Sequence, residues 1–383
     1  MTSYIKNPKT LRKSNKANVK FTLWSKGEMS RLQLAKELGL TTPSITQIIN
    51  ELEQYGEVSE GKSVVRGAGR PEVLLKLNQD RDKAIGLNIE TDYTHISICT
   101  LRGLQEDKIY STKDIIPNKS LDKLITILEE MISTKGPFIG IGIGIVGIVR
   151  DGVSLNSYGI LDINTPIEQI LEDNLGISVS VINNIQAQAR ALLTSSDDNY
   201  MLIKHSPGIG CAIVADGKVV NGENNNAGEI GHTIVEKDGI QCRCGKKGCL
   251  EAYVAEWHIE DLYYTETNNK LSILQIYANY EKDEIATKIL DKCIDYLALS
   301  ILNIAMFTDP KKILLTGGIF AQETLYNKIK NKIYSLGFNK ECAIECISEE
   351  KNLKALSGAR HILLKKIFEV WKWSKTLNLV LFV

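Results

Sequence analysis

The sequence is notable first for what it lacks. No uninterrupted apolar run approaches the roughly 20 residues that a membrane-spanning helix requires, so a membrane partner is not expected. The start, Met1 to Lys16, is polar and lysine-rich with no apolar h-region, which excludes a secretory signal peptide. No short internal repeat is evident. Net charge is also absent, since 46 Lys+Arg balance 46 Asp+Glu. That balance hides a division. Residues 1–70 hold 12 Lys+Arg against 6 Asp+Glu, and the rest of the chain holds 34 against 40. A basic N-terminal segment on an acidic body points to a nucleic-acid module joined to something else. The length, 383 residues, suggests more than one domain, and an apolar fraction of 43% can build full-sized cores. Eight cysteines without an oxidising context fit a reducing cytoplasm.

Three of those cysteines lie within eight residues: Cys242-Arg-Cys244-Gly-Lys-Lys-Gly-Cys249, with His232 just upstream. Three thiolates and one imidazole make a closed tetrahedral donor set for one structural zinc per chain. Gly245 and Gly248 let the backbone turn so that the thiols converge. Buried hydrophobe-like cysteines are a poor alternative, because Arg243, Lys246 and Lys247 are unsuited to a core. A disulfide would leave an odd cysteine and needs an oxidising compartment. Glu229 and Glu251 flank the ligands, so pinning both ends of the loop brings two carboxylates together, an arrangement suited to sugar hydroxyls.

Residues 10–58 read as helices. Leu11, Val19, Leu23 and Trp24 form one apolar stripe. Ser30 caps a second helix that Gly39 ends. Thr42 is expected as the N-cap of a third, with Pro43 in its first turn and Ile45, Ile48, Ile49 and Leu52 inward. Ala35 at the close approach, Gly39 in the turn and Ile45 on the second helix follow helix-turn-helix logic. The outward groups, Thr42, Ser44, Gln47 and Asn50, can hydrogen-bond base edges in a major groove, and Arg31 joins them as a candidate DNA contact. Gly56 to Val65 suggests a small wing. Gly67-Ala-Gly-Arg70-Pro71 is a flexible basic link whose arginine can enter a narrow minor groove.

From Ala84 onward strands alternate with helices, which implies α/β architecture. Strands are expected at 84–90, 95–100, 138–149, 178–182, 201–205, 208–215, 218–220, 312–316 and 342–347. Helices are expected at 120–133, 185–193, 250–264, 271–279, 283–307 and 353–368. The run Gly140-Ile-Gly-Ile-Gly-Ile-Val-Gly147 permits close backbone approach. The tail Trp371–Val383 is apolar enough to pack on the body or on a partner subunit.

Gly228-Glu-Ile-Gly-His232 followed by Cys-x-Cys-Gly-x-x-Gly-Cys-x-Glu251 resembles the signature of the ROK family, which holds sugar kinases and sugar-responsive repressors. The Ser30-Arg-x-x-Leu-Ala run, the Asn-rich helix and Gly-Arg-Pro resemble the N-terminal half of its repressors, a module that its kinases generally lack. The resemblance implies an N-terminal winged helix-turn-helix followed by a two-lobed α/β body of the actin-like ATPase (ribonuclease H-like) fold, with a ligand cleft between the lobes. The expected domains are a DNA-binding module at 1–78, with a linker at about 61–78, and a sugar-binding and oligomerisation body at 79–383. Its first lobe spans about 79–195 plus the C-terminal helix, and its second about 196–352. By match to the family motifs, Asn183, Asn184, Glu229, His232 and Glu251 are candidate sugar ligands.

A kinase of this family needs a phosphate-cradling Asp-x-Gly-Gly-Thr turn after the first strand. This chain has Asn88-Ile-Glu90-Thr-Asp92: both glycines are gone and Glu90 brings negative charge. The catalytic base of an Asn-Asp-Ala-Asn-like run is replaced in Asn183-Asn184-Ile-Gln-Ala187. An amide cannot accept the proton of a sugar hydroxyl as a carboxylate can. Only Gly317-Gly318 resembles the family's nucleotide-side glycine pair, and a strand-to-helix turn explains it. The expectation is therefore a cytoplasmic, non-enzymatic repressor of carbohydrate uptake and catabolism genes. It would respond to a monosaccharide (xylose or another) or a sugar phosphate, and bind a double-stranded inverted-repeat operator as a homodimer or tetramer. Two other readings stay open: a sugar kinase with an appended DNA-binding module, and a DNA-binding protein whose body only dimerises.

Overall fold

The computed structural model describes residues 8–64, 71–195, 197–347 and 351–368. Arg70 and the tail Trp371–Val383 lie outside the described residues. The chain forms two compact units, Met1–Ala187 with Ala355–Val383, and Gln188–Lys354.

The first unit opens with α1 (Pro8–Lys26), β1 (Met29–Ser30), α2 (Arg31–Leu38), α3 (Thr42–Gln54), β2 (Val58–Val64) and β3 (Glu72–Leu77). Ser30 and Gln33 form a reciprocal capping box on α2, and Gly39 ends it at φ 62°. Val19, Leu23, Ala35, Ile45, Ile49 and Leu52 are buried where the three helices meet, whereas Leu11 lies outside this core with 46% of its surface exposed. One expectation is corrected. The N-cap of α3 is Thr41, whose hydroxyl oxygen accepts the Ser44 N–H at 3.3 Å, so Thr42 and Pro43 are the first helical residues. Proline fits there because the first-turn N–H groups have no intrahelical partner. The wing is larger than the sequence suggests. β3 lies inside the stretch expected as a linker, and it pairs antiparallel with both β1 and β2.

The sheet that follows is built from β4 (Ala84–Ile89), β5 (Tyr93–Cys99), β6 (Leu104–Ser111), β7 (Ile141–Ile145) and β10 (Val179–Asn183). Between these strands come α4 (Thr112–Ile115), α5 (Asp122–Lys135), the hairpin β8 (Ile148–Arg150) and β9 (Val153–Asn156), and α6 (Ile167–Leu175); α7 (Asn184–Ala191) follows β10. The strand expected at 138–149 breaks at Gly147. Its φ is 104°, and an added Cβ would lie 2.0 Å from the Asn156 carbonyl oxygen.

The second unit holds β11 (Tyr200–His205), β12 (Ile209–Ala215), β13 (Lys218–Val219), α8 (Glu251–Val254), α9 (Glu256–Thr267), α10 (Ile273–Ala278), α11 (Glu284–Thr308), β14 (Lys312–Thr316), α12 (Glu323–Ser335) and β15 (Ala343–Ile347). The single helix expected at 250–264 is two, because Ala255 is extended at ψ 139°. The sheet orders are β6-β5-β4-β7-β10 and β13-β12-β11-β14-β15. In each, the first three strands in sequence pair antiparallel and the last two join in parallel. The two units thus repeat one five-stranded topology, the duplicated plan of an actin-like body, without a sequence repeat to announce it.

α13 (Lys351–Phe368) closes the first unit. It lies directly on the β4–β7 surface, where an added Cβ on Gly142 would stand 2.0 Å from the Gly358 carbonyl oxygen and one on Gly86 2.4 Å from the Ala359 nitrogen. At its far end Phe368 packs on Phe21 and Trp24 of α1, with ring centroids 5.4 Å away in both cases. Arg360 stands over the Trp24 ring at 5.4 Å and donates to the Leu101 carbonyl oxygen at 2.9 Å. One helix therefore covers the sheet and holds the N-terminal winged-helix module against it.

Candidate functional site

His232 ends a short 3-10 turn, Ile230–His232, and the chain then folds back on itself. Isolated bridges join Ile234 to Cys249 and Gln241 to Lys247. Cys242 N–H donates to the Lys246 carbonyl at 2.8 Å, and Gly245 N–H to the Cys242 carbonyl at 3.0 Å. Gly248, at φ 78°, passes the Glu236 carbonyl so closely that a Cβ would lie 1.7 Å from its oxygen. This tight double turn gathers the donor atoms of His232, Cys242, Cys244 and Cys249 within 4.8 Å of one another. His232 Nδ1 is 3.8 Å from Cys242 Sγ, and Cys244 Sγ is 3.6 Å from Cys249 Sγ. A tetrahedral ion with metal–sulfur bonds of about 2.3 Å sets its ligands about 3.8 Å apart, so the spacing fits. Burial pushes the Cys249 thiol up to about 12, and burial also raises that of Cys242. Such thiols ionise readily only beside a cation.

Glu251 begins α8, immediately after this loop. A Cβ on Gly208 would lie 2.9 Å from Glu251 Oε2, and one on Gly231 3.3 Å away, so bare backbone lines the approach to the carboxylate. Burial holds the Glu229 carboxyl above its usual range, against the pull of His232 and with the push of Glu251. Glu229, His232 and Glu251 thus offer acceptors and a ring within one unit, a set suited to vicinal hydroxyls.

Asn183 and Asn184 end β10 and begin α7. Asn183 donates to the Gly147 carbonyl at 2.8 Å and accepts from the Ile185 and Gln186 N–H groups. Asn184, 2% exposed, donates to Glu90 Oε1 at 3.0 Å and accepts from Ile185 N–H at 2.9 Å. Both amides are therefore engaged in positioning the start of α7. Glu90, which the sequence marks only as an unwelcome charge, is 4% exposed and also accepts from Asn88 Nδ2 at 3.2 Å. The turn after the first strand is filled by a carboxylate held by two amides. The bond from Asn184 to Glu90 joins residues 94 apart, and nothing in the sequence signals it.

The Gly317-Gly318 pair is likewise occupied from within. Gly318 has φ 46°, and a Cβ there would lie 2.2 Å from His205 Nδ1. His205 is fully buried, and burial lowers its pKa to about 4. Its neutral ring donates from Nε2 to the Val254 carbonyl at 2.6 Å and receives Ile319 N–H at Nδ1 at 3.4 Å.

On the N-terminal module, Thr42, Ser44, Gln47 and Asn50 are all exposed along α3, opposite the buried Ile45, Ile48 and Ile49. The Ser44 hydroxyl is 2.9 Å from that of Thr41. Arg31 is turned toward the module itself, 3.5 Å from Glu53 and 3.3 Å from Glu60. Further basic side chains are consumed in the same way, with Arg12 and Lys16 on Glu51 and Lys20 on Glu57. No helix among the described residues is long and apolar enough to cross a membrane.

Comparison with known proteins agrees with this layout. A xylose repressor of Bacillus subtilis is 23% identical over 332 residues, covering 80% of this chain and 84% of the relative. A glucokinase of Halalkalibacterium halodurans is 31% identical over 240 residues, covering 56% of this chain and 72% of the relative. The solved structure of a ROK family transcriptional regulator, a homologue of the E. coli MLC protein, superposes with a TM-score of 0.78 at 24% identity, covering 94% of this chain and 98% of that one. The ROK family model matches residues 84–366, the whole body from the first strand of its sheet almost to the end of α13. The chain belongs to the ROK family.

Proposed function

We propose that this protein is a sugar-responsive transcriptional repressor with no kinase activity. The observation that carries it is the exposed polar face of α3, on a winged helix-turn-helix joined to a ROK body. Thr42, Ser44, Gln47 and Asn50 read bases in the major groove. Arg70 enters the minor groove, and Arg31 reaches DNA by exchanging its glutamate partners for phosphate. Specific affinity comes from two half-sites, so the operator is an inverted repeat and the binding species a homodimer or tetramer. Glu229, His232 and Glu251 recognise the effector hydroxyls, with Asn183 and Asn184 as further ligands. The xylose repressor relative supports xylose or another monosaccharide as effector. One zinc per chain, held by His232, Cys242, Cys244 and Cys249, fixes the loop that presents these groups. The test is fluorescence anisotropy on the DNA upstream of the gene and its neighbours, with and without candidate sugars. Loss of DNA affinity with one sugar is expected, by about 5- to 150-fold. If no sugar changes the affinity, and Glu229→Ala and Glu251→Ala bind DNA like wild type, the sensor half of the reading falls.

A kinase with an appended module is the second reading, and the glucokinase relative favours it. Against it stand the carboxylate in the phosphate turn, the amide in the base position and the histidine under Gly318. ATP turnover of about 1–1000 per second with any hexose or pentose would establish it.

A further inference from the structure

A pocket of about 190 Å³ opens within the second unit, between α9, α11 and the loop that carries the metal ligands, and none of Glu229, His232 and Glu251 lines it. Its walls follow from helical spacing. Leu262 and Glu266 lie one turn apart on α9, and Ile285, Ile289 and Cys293 recur every four residues along α11. Tyr253 of α8 and Ile240 of the loop close the remaining sides. The Ile240 N–H donates to the Tyr253 hydroxyl at 2.8 Å, and a Cβ on Gly239 would lie 2.0 Å from that oxygen, so the loop backbone is itself a wall. The floor is uncharged. Burial pushes the Cys293 thiol up to about 12, and its S–H donates to the Tyr253 carbonyl at 3.3 Å. An apolar cavity of roughly 150 Å³ admits a benzene ring, so this one takes a ligand of about that size with one small polar group.

The rim decides what that polar group is. Lys288 and Lys292 line the pocket one turn apart on α11, and Glu266 is the acid that lines it. Lys292 lies over the Tyr253 and Tyr296 rings at 5.3 and 5.5 Å. It is also 3.7 Å from Glu236, a carboxylate that accepts from the Tyr296 hydroxyl. That ammonium is therefore held in place. Lys288 is exposed and has no ion pair among the described residues. Two cations against one acid leave a surplus of positive charge above an apolar floor. A carboxylate on a compact apolar body matches both features: its head meets the lysines and its body fills the floor.

We infer that this pocket binds a small monocarboxylate with a compact apolar body, an aromatic or branched aliphatic acid, and that the bound acid braces the metal loop from behind. The inference stands independently of the sugar-sensor reading. Titration calorimetry on the full chain tests it with benzoate, 4-methylpentanoate, benzamide, acetate and phenylalanine. At least one of the two apolar acids is expected to bind with a Kd of about 1 mM or tighter. Benzamide lacks the charge and acetate lacks the body, so each should bind at least about fivefold more weakly. Lys288→Glu should weaken the acid by about fivefold or more. Its unfolding midpoint should stay at the wild-type value, because Lys288 is exposed and unpaired among the described residues. Leu262→Trp should fill the pocket and abolish binding. Bound acid should also slow tryptic cleavage after Lys237 and Arg243, both exposed on the loop. Failure of both acids to bind, unchanged affinity in Lys288→Glu, or cleavage of the loop untouched by bound acid would each overturn the inference. Equal binding of benzamide or acetate would do the same. Tighter binding of phenylalanine would make the pocket a zwitterion site that uses Glu266, and overturns the monocarboxylate assignment.

Discussion

Replacing Asn184 by aspartate restores the acid that a kinase of this family uses as its base, and here it should damage the protein instead of activating it. The Asn184 amide nitrogen is 3.0 Å from Glu90 Oε1, and both residues are almost fully buried. In Asn184→Asp a carboxylate oxygen takes that position. Two charges about 3 Å apart repel by roughly 5 kcal/mol at an effective dielectric of about 20, so the pair holds one proton between them. In the unfolded chain both acids ionise near pH 4. The folded variant must keep a proton that the unfolded chain releases, at about 1.4 kcal/mol for each pH unit above that point. The sign is fixed: the penalty is absent below about pH 4, grows as pH rises, and levels off once the folded pair loses its proton. Urea unfolding should show a loss of about 1 kcal/mol at pH 5 and up to about 4 kcal/mol at pH 7. A coupled ATP assay should show no sugar phosphorylation at either pH, because the phosphate turn is still filled. Equal stability of variant and wild type at pH 7, or any sugar-dependent turnover, would refute the reasoning.

Metal analysis of protein purified without chelator should give one zinc per chain, and Cys249→Ser should lose it and expose the 228–251 loop to limited proteolysis; a metal-free, protease-resistant wild type would end the assignment. Gln47→Ala should relax base preference at one position per half-site by about 1–3 kcal/mol, read by anisotropy on singly substituted operators. Gly142→Ala drives a Cβ into the Gly358 carbonyl, backbone against backbone, so it should lower stability by about 1–3 kcal/mol or more and the unfolding midpoint by roughly 2–4 °C for each kcal/mol. Phe368→Ala removes a buried ring from the Phe21–Trp24 cluster and should destabilise by about 3–5 kcal/mol, with DNA affinity falling further than sugar affinity; an equal loss of both would remove α13 as the anchor of α1.

What was legible in the sequence was local. Ser30, Gln33 and Gly39 mark α2 because capping and left-handed termination are decided within one helical turn. The Cys3His cluster could be read because Cys242, Cys244 and Cys249 are close in sequence and pinned by glycine turns. Thr41 was missed as a cap because two adjacent threonines serve equally well and proline is accepted at either of the next two positions. β6 was missed because Leu104–Ser111 is a largely exposed edge strand with three charged residues, so no alternation marks it. The sequence puts both asparagines after the strand, whereas Asn183 is its last residue, and the bond from Asn184 to Glu90 spans 94 residues that only the folded sheet brings together. The same holds for Gly142 and Gly358: a glycine run predicts that something approaches, not what.

The placement of α13 sets an order of events during synthesis. The winged helix and the strands β4 to β10 leave the ribosome before the helix that covers the Gly86–Gly142 surface and anchors α1, which is encoded about 170 residues later. At translation rates of about 5–20 residues per second, that surface waits roughly 10 to 30 s for its cover. The second unit is a continuous stretch within that interval and can fold on its own schedule. The N-terminal module thus emerges well before the helix that secures it. A chain truncated before Lys351 would carry a complete α3 on a body whose first sheet stays open to aggregation.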